Sequence, residues 1–204
     1  MSFQLLSSFD QVEKNHDFLL KNGFFDYLET QWHNSIYLHS ENSPSIIHNG
    51  NLLWFKYNKL HRDGGPAYIK ADGSQMWYQN GKLHREDGPA VIRTDETIEW
   101  WLNGKLHNET GPAVESPLSQ EWWLDGKRHR WIEPAVKRYD GTLEWWYEGV
   151  RHGYGEGPAV IKPDGTLEWW CFGKRHREDG PAVIKNDGNS EWWYNGSKCV
   201  ETLK

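Results

Sequence analysis

The chain has 204 residues and a formal net charge of −6, and its 14 Trp and 20 Gly accompany a mean hydropathy of −0.87. This length is sufficient for one sizeable domain, and the surface available for burial is mostly aromatic, since each large aromatic side chain buries roughly 150–250 Å². The acidic charge argues against a nucleic acid or a membrane as the main partner, because both select basic surfaces.

The cysteines and the first residues bear on the cellular compartment. Cys171 and Cys199 form neither a CxxC nor a CxxH motif, so the sequence shows no zinc or redox motif. Asp10, Glu13 and Lys14 lie where a signal peptide needs an apolar core, and no apolar run approaches the length of a membrane span. We therefore expect a cytoplasmic protein, in the host cytoplasm if the source is viral.

The first 31 residues differ in pattern from the rest and predict a helical N-terminal cap. Residues 8–23, SFDQVEKNHDFLLKNG, carry a capping Ser or Asp, an apolar side and a stop at Asn22-Gly23. Residues 24–31, FFDYLETQ, predict a second short helix. Because repeat arrays need protected ends, we interpret residues 1–31 as a cap over the first hairpin, the alternative being a helix that docks a partner.

A repeat with a period of about 23 residues follows the cap. A leading Trp recurs at spacings of 23, 23, 22, 23, 24 and 23, and is followed by a His and a Pro-Ala pair. The leading tryptophans are Trp54, Trp77, Trp100, Trp122, Trp145, Trp169 and Trp192, and the histidines are His61, His84, His107, His129, His152 and His176. We assign residues 32–53 to a degenerate first repeat and residues 54–204 to six repeats plus a partial seventh.

Each repeat has the sequence of consecutive β-hairpins. In residues 159–172, AVIKPDGTLEWWCF, two strand-like runs flank Pro163-Asp164-Gly165, which favours a type I turn with Gly in the left-handed position. A later Asn-Gly or Asp-Gly pair, such as Asn195-Gly196, favours a two-residue type I′ turn, which needs a positive φ at both positions. The pattern predicts a repeated β-meander.

The Trp-Trp doublet predicts two aromatic rows on opposite faces of the strands. The first position is Trp in every repeat, whereas the second is Phe55, Tyr78 and then Trp. We therefore expect the first row to be tightly packed core and the second to be partly exposed.

The unit W-W-x-x-N-G-K-x-H-R-x-D-G-P-A resembles the MORN-type repeats, in particular the variant abundant in phage, giant-virus and bacterial proteins, over roughly residues 50–197. The resemblance implies an all-β repeat array, an elongated and twisted antiparallel sheet of consecutive hairpins. It also implies scaffolding or protein binding, lipid association in some members, and an antitoxin-like role in some bacterial relatives.

The His-Arg-Glu-Asp segment has the residue types of a metal or acid–base site, but its pattern favours a structural role. The His recurs, whereas the residue before Gly-Pro varies from Asp87 and Asp179 to Gly64, Thr110, Ile132 and Glu156. We expect each His to hydrogen-bond backbone at the bend before Pro-Ala. No nucleophile motif or phosphate-binding Gly loop is present, so we expect no enzyme activity, no cofactor and no metal.

The repeat is broken most clearly at residues 127–139, KRHRWIEPAVKRY, and in the following repeat, which has an extra residue near Tyr154. Trp131 replaces a turn residue there, and Arg, Trp and Tyr are enriched in binding hot spots. The candidate partner-binding residues are Arg128, Arg130, Trp131, Arg138, Tyr139, Arg151 and Tyr154.

The sequence thus predicts a β-repeat scaffold or protein-binding module, a viral or bacterial host-interaction, inhibitor or antitoxin-like protein, with function where the repeat is broken. The expected partner is a protein, and neither a nucleic acid nor a membrane. The alternative is that a carbohydrate or other small ligand binds along an exposed aromatic row.

Overall fold

The computed structural model describes Leu38, Ser40 and residues 42–199, within which the chain forms short strands, turns and bends and no helix. The all-β prediction is confirmed for these residues, and the predicted helical cap lies outside them. The chain divides into two compact units. Unit 1 runs to Thr94 and takes in Trp101–Gly104, and unit 2 comprises Asp95–Trp100 and the chain from Lys105 onward.

The strands are numbered in chain order. Those of unit 1 are β1 (Ile46–His48), β2 (Asn51–Leu53), β3 (Phe55–Lys56), β4 (Lys59–Leu60), β5 (Tyr68–Ile69), β6 (Gln75–Met76), β7 (Tyr78–Gln79), β8 (Lys82–Leu83), β9 (Val91–Ile92) and β11 (Trp101–Leu102). Those of unit 2 are β10 (Ile98–Glu99), β12 (Lys105–Leu106), β13 (Val114–Glu115), β14 (Ser119–Glu121), β15 (Trp123–Leu124), β16 (Lys127–Arg128), β17 (Val136–Arg138), β18 (Leu143–Glu144), β19 (Trp146–Tyr147), β20 (Val150–Arg151), β21 (Val160–Ile161), β22 (Leu167–Glu168), β23 (Trp170–Cys171), β24 (Lys174–Arg175), β25 (Val183–Ile184), β26 (Ser190–Tyr194) and β27 (Ser197–Cys199).

Each complete repeat contains two kinds of hairpin. Sheet hairpins such as β17–β18 pair side by side in an antiparallel sheet, in the order β1-β2-β5-β6-β9 in unit 1 and β10-β13-β14-β17-β18-β21-β22-β25-β26-β27 in unit 2. Ribbon hairpins such as β19–β20 each form a separate two-stranded sheet. The predicted succession of hairpins is therefore confirmed, and each repeat adds one sheet hairpin and one ribbon hairpin.

The turns follow the predicted local chemistry. At a typical ribbon turn, Asn80 and Gly81 have φ values of 52° and 81°, as a type I′ turn requires. At the sheet turn of β17–β18, Gly141 has a φ of 95° and the Asp140 carboxylate accepts the Thr142 backbone N–H at 2.7 Å. The same Asp contact recurs in neighbouring repeats, so short sequence signals determine both turns.

The leading Trp of each repeat lies at the junction between its sheet hairpin and its ribbon hairpin. The backbone N–H of Trp145 donates to the Ala159 carbonyl at 2.8 Å, and the Trp145 carbonyl accepts the backbone N–H of His152 at 3.2 Å. Equivalent bonds join five other leading tryptophans, Trp54, Trp77, Trp100, Trp122 and Trp169, to the fully buried alanines Ala67, Ala90, Ala113, Ala135 and Ala182. The Pro-Ala signal therefore marks the carbonyl that binds the backbone N–H of the leading Trp in the same repeat.

The cores of the two units differ. Unit 1 contains an apolar cluster that includes Leu53, Phe55, Leu60, Tyr68 and Met76, with Tyr78, Leu83 and Trp101 packed against it. In unit 2 the buried residues are mainly the alanines and small β-branched residues such as Val136, together with the carboxylates of Glu144 and Glu168. Unit 2 must therefore pair these buried charges.

The expected contrast between the two aromatic rows is wrong. Only Trp54 among the leading tryptophans is buried; the others are half-buried, like the Trp residues at the second doublet position. The reason is that arginine side chains, rather than an apolar layer, cover several rings in each row. Arg130 covers Trp122, with its guanidinium carbon 4.0 Å from the ring centre, and Arg128 lies 4.9 Å from Trp123.

Candidate functional site

The Arg that follows the His covers the leading Trp in four repeats. The guanidinium carbons of Arg62, Arg85, Arg130 and Arg177 lie 3.9–4.2 Å from the ring centres of Trp54, Trp77, Trp122 and Trp169. Each guanidinium also donates to the carbonyl of the Pro in its own repeat. The H-R-x-D-G-P-A segment is thus a structural clasp, which stacks on an indole and satisfies a carbonyl.

Each recurring His bridges to the next repeat, which corrects the expectation that it would hold the bend before Pro-Ala. Its Nδ1 accepts a backbone N–H from the first residue of the next ribbon turn, at 3.1–3.3 Å. The donors, in chain order, are Asn80, Asn103, Asp125, Glu148, Phe172 and Asn195. The reason is geometric, because strand pairing brings the next turn beside the imidazole while the Arg already satisfies the Pro carbonyl in most repeats.

The residue that faces Nε2 of the recurring His differs among the repeats. In four repeats Nε2 faces a carboxylate two residues later in the chain, at 3.0–3.7 Å: Asp63, Glu86, Glu109 and Glu178. Two successive repeats have Trp131 and Tyr154 at that position instead. These side chains are 67% and 57% exposed, so two solvated carboxylates are replaced by two accessible aromatic rings.

Trp131 and Tyr154 line one cleft of about 350 Å³, here called the aromatic cleft. Its lining comprises Arg130, Trp131, Trp145, Trp146, Tyr147, His152, Gly153, Tyr154, Gly155 and Phe172. The Trp131 ring meets Tyr147 edge-on at 5.3 Å between centroids, and His152 stacks on Phe172 at 4.4 Å. The sequence-based expectation that Trp131 and Tyr154 are presented together is confirmed.

Gly153 opens the cleft by removing the Arg clasp from Trp145. It occupies the position of the clasp Arg, and a Cβ there would lie 2.3 Å from the Gly157 carbonyl oxygen, so the loop excludes any side chain. Trp145 keeps an anchor at its edge that the clasped Trp169 also has: its indole N–H donates to the Ile132 carbonyl at 3.0 Å. One face of a half-buried indole consequently contributes to the cleft.

Phe172 also differs from the residues at the same position in the other repeats. It takes the first position of a ribbon turn, usually Asn, Asp or Glu, and adopts a φ of 44°. A left-handed φ is unfavourable for a bulky aromatic residue and is found where surrounding structure or function requires it. The Phe172 side chain is 62% exposed at the cleft, and Val150 replaces the Lys that usually follows the turn Gly.

The predicted site residues separate into three places. Arg130, Trp131 and Tyr154 line the aromatic cleft. Arg128, Arg138 and Arg151 instead form ion pairs with the carboxylates of Glu121 and Glu144, and Tyr139 is an exposed residue of a sheet turn outside the aromatic cleft.

Sequence reasoning missed Tyr147, Phe172 and the role of Gly153. The signal for Phe172 was present, because Phe-Gly stands where other repeats have a polar residue before Gly.

The ion pairs in unit 2 belong to a ladder that alternates arginine and indole. The guanidinium carbon of Arg151 lies 5.1 Å from the Trp146 ring centre and 5.4 Å from Trp170, and Arg175 is placed in the same way between Trp170 and Trp193. The indole N–H of Trp146 donates to Glu144 at 2.9 Å, and Arg151 contacts the same carboxylate at 3.2 Å. This ladder replaces the apolar cluster of unit 1.

The described residues contain no group of three or more His, Cys, Asp or Glu side chains placed to hold a metal ion. Within the same part of the chain, no helix has the length and apolarity to cross a membrane. Comparison of the chain with protein-family models and with curated proteins found no match in either set.

Proposed function

We propose that this chain is a protein-binding β-repeat module whose aromatic cleft receives an extended segment of a partner protein. The observation that carries the proposal concerns repeat positions that are mostly polar in the other repeats. Around this one cleft, several of these positions hold aromatic residues instead. Trp131, Tyr154 and Phe172 are these changes, and all three side chains are exposed and line the cleft. If substitutions had accumulated at random along the repeats, such changes would be scattered. A contiguous exposed aromatic surface is instead typical of interaction sites.

The shape and charge of the cleft favour an extended segment. A second cavity of about 350 Å³ shares His152, Gly153 and Gly155 with the aromatic cleft and continues past Trp169 and Cys171. Its lining includes Glu156, Glu178 and Asp179, of which Asp179 is paired with Arg177. We therefore propose a segment with an apolar side chain at the aromatic end and a basic side chain at the acidic end.

Reversion of the broken positions tests this proposal without removing the scaffold. In the double variant Trp131→Glu, Tyr154→Glu, each His regains the carboxylate that it has in the other repeats. Partners are captured with the intact chain from source-cell lysate, identified, purified and titrated by calorimetry. We expect the double variant to bind at least about thirtyfold more weakly, because truncation of even one hot-spot aromatic costs about 2 kcal/mol or more. Tyr139→Ala, an exposed aromatic outside the cleft, is the matched control.

Unchanged affinity in the double variant would remove the aromatic cleft from the interface and refute the proposal. An inhibitor or antitoxin-like role in a viral or bacterial host interaction remains our hypothesis for the biological context, and it depends on the resemblance to MORN-type repeats. That resemblance also leads us to propose an elongated, twisted array, and the sequence pattern of residues 1–31 leads us to propose a helical cap there.

A small ligand is the second candidate occupant. The cleft volume of about 350 Å³ lies at the lower end of the 300–1,000 Å³ typical of ligand pockets, and stacked aromatic rings suit a carbohydrate face. The ring faces of the second doublet row are less suitable, because arginines such as Arg151 lie over them. Titration of tryptophan fluorescence with a panel of glycans separates the candidates, since a flat response removes the carbohydrate.

A further inference from the structure

We propose that a second cleft in unit 2, here called the polar cleft, binds a doubly charged oxyanion of the phosphate or sulfate type. Its volume is about 480 Å³. Its lining comprises Arg138, Thr142, Glu144, Arg151, Val160, Lys162, Pro163, Glu168 and Arg175. None of these residues lines the aromatic cleft, so this proposal stands independently of the proposed protein-binding function.

The charges that line the polar cleft do not balance. Arg138 and Arg151 pair with Glu144, and Lys162 and Arg175 pair with Glu168. Four cations therefore surround two carboxylates, which leaves two positive charges in a protein whose net charge is −6. A dianion is the ligand that neutralises this surplus.

Both carboxylates remain ionised in spite of burial. Glu144 is only 3% exposed, and burial is the largest single influence on its pKa, which it raises. The hydrogen bond from Arg138 and the charges of Arg151 and Arg138 outweigh burial and hold the pKa of Glu144 below its ordinary 4.5. The pKa of Glu168 is lowered in the same way by the hydrogen bonds of Lys162 and Trp170 against its burial. The cations of the cleft thus stabilise the charged form of both buried carboxylates.

The cations are held in place and retain donors for a ligand. Arg151 and Arg175 are each fixed between two indole rings, and each contacts its carboxylate through Nη2. A guanidinium has five N–H donors, so each of these contacts uses only part of its capacity. Arg138 and Lys162 are about four-tenths exposed and lie where a ligand can reach them. Fixed guanidinium groups are well suited to tetrahedral oxyanions.

Two further carboxylates near the polar cleft are already engaged at turns. Asp140 and Asp164 accept the backbone N–H groups of Thr142 and Thr166, and neither carboxylate lines the cleft. Their charges act on Arg138 and Lys162, so they reduce the surplus positive charge without filling the space that the oxyanion would occupy.

The test is a calorimetric titration of the intact chain with inorganic phosphate at constant ionic strength, with chloride as the monoanion control. We expect saturable binding of one phosphate. Arg138→Gln and Lys162→Gln should each weaken it about tenfold, because a charged hydrogen bond is lost. Lys185→Gln is the matched control, because Lys185 makes the same kind of pair with Glu191 at 3.1 Å but does not line the cleft.

Three outcomes would overturn the proposal: no saturable binding of phosphate, equal binding of chloride, or equal weakening by Lys185→Gln. Titration with phenyl phosphate and inorganic sulfate then identifies the source of the oxyanion. Tighter binding of the ester indicates a group carried on a larger ligand, and tighter binding of the free ions indicates a free anion. The Trp131→Glu, Tyr154→Glu variant should bind phosphate normally, so failure of the protein-binding proposal is distinguishable from failure of this one.

Discussion

At the residue scale, the recurring His has the residue type of a catalytic or metal-binding group, but its hydrogen bonds give it a structural role. His84 accepts the Asn103 backbone N–H through Nδ1 at 3.1 Å, and its Nε2 faces Glu86 at 3.6 Å. This arrangement requires the tautomer that carries its proton on Nε2, and it joins two repeats through one ring. The His therefore recurs along the chain because its imidazole accepts a backbone N–H of the next ribbon turn.

Two substitutions of His84 separate this role from simple packing. Asn has an oxygen close to the position of Nδ1, whereas Gln places its amide near Nε2. We expect His84→Asn to retain the bond to the Asn103 N–H, and His84→Gln to lower the free energy of unfolding by about 1 kcal/mol more, the net value of one hydrogen bond. Urea unfolding measures both. The opposite order would show that Nε2 and Glu86 carry the stability.

A pH dependence follows from Glu191. Hydrogen bonds from Trp193 and Lys185 lower its pKa from 4.5 to about 2. The unfolded carboxyl therefore takes up a proton at a higher pH than the folded one, so this group stabilises the fold above pH 4.5 and loses that contribution as the pH falls toward 2. We expect the difference in melting temperature between wild type and Glu191→Gln to shrink across this window. A constant difference would contradict the ion-pair assignment.

At the element scale, the chain uses two alternative solutions for the same ribbon hairpin. Met76 and Leu83 occupy in unit 1 the positions of Glu144 and Arg151 in unit 2. The first pair contributes to an apolar cluster, and the second forms an ion pair beneath Trp146. Either solution fills the space beside the second aromatic of the doublet, but a mixture of the two leaves a charge unpaired.

A double-mutant cycle tests this exchange. Arg151→Leu should destabilise by about 3 kcal/mol, the lower end of the range for breaking a buried pair, because Arg138 still neutralises part of the Glu144 charge. Adding Glu144→Met to that variant should recover most of the loss, since it reproduces the Met76 and Leu83 arrangement. Thermal unfolding of the four chains measures the coupling. Additive losses would show that the two positions act independently.

The elements also show which features of the fold can be predicted from the sequence. The turns that carry Asn-Gly, Asp-Gly or Pro-Asp-Gly were predicted, because two to four adjacent residues determine a turn, whereas the ribbon turns at Glu148-Gly149 and Phe172-Gly173 lack that signal. The junction at the leading Trp and the bond from each His to the next repeat were not predicted, because they depend on the pairing of residues 13–14 and 18–20 positions apart, respectively. Trp131 and Tyr154 were found as breaks in the pattern, whereas Gly153 acts by the absence of a side chain, which only packing reveals.

At the scale of the whole molecule, regular repeats provide the scaffold and irregular ones provide the candidate sites. Gly153 and Tyr154 belong to the repeat that is one residue longer than its neighbours, and that repeat also contributes Arg151 to the polar cleft. The extra residue therefore lies close in sequence to both clefts. An array of this kind can acquire a binding site by altering one repeat without redesigning the others.

If neighbouring repeats couple only to each other, destabilisation should remain local. Ala135 and Ala182 are fully buried and accept the backbone N–H groups of Trp122 and Trp169, so a Val at either position overpacks one repeat by roughly 1–3 kcal/mol. We expect Ala135→Val to speed hydrogen exchange mainly at the Trp122 N–H, and Ala182→Val mainly at the Trp169 N–H. Equal acceleration at both amides in both variants would instead mean that unit 2 opens as one cooperative block, with stability shared across all its repeats.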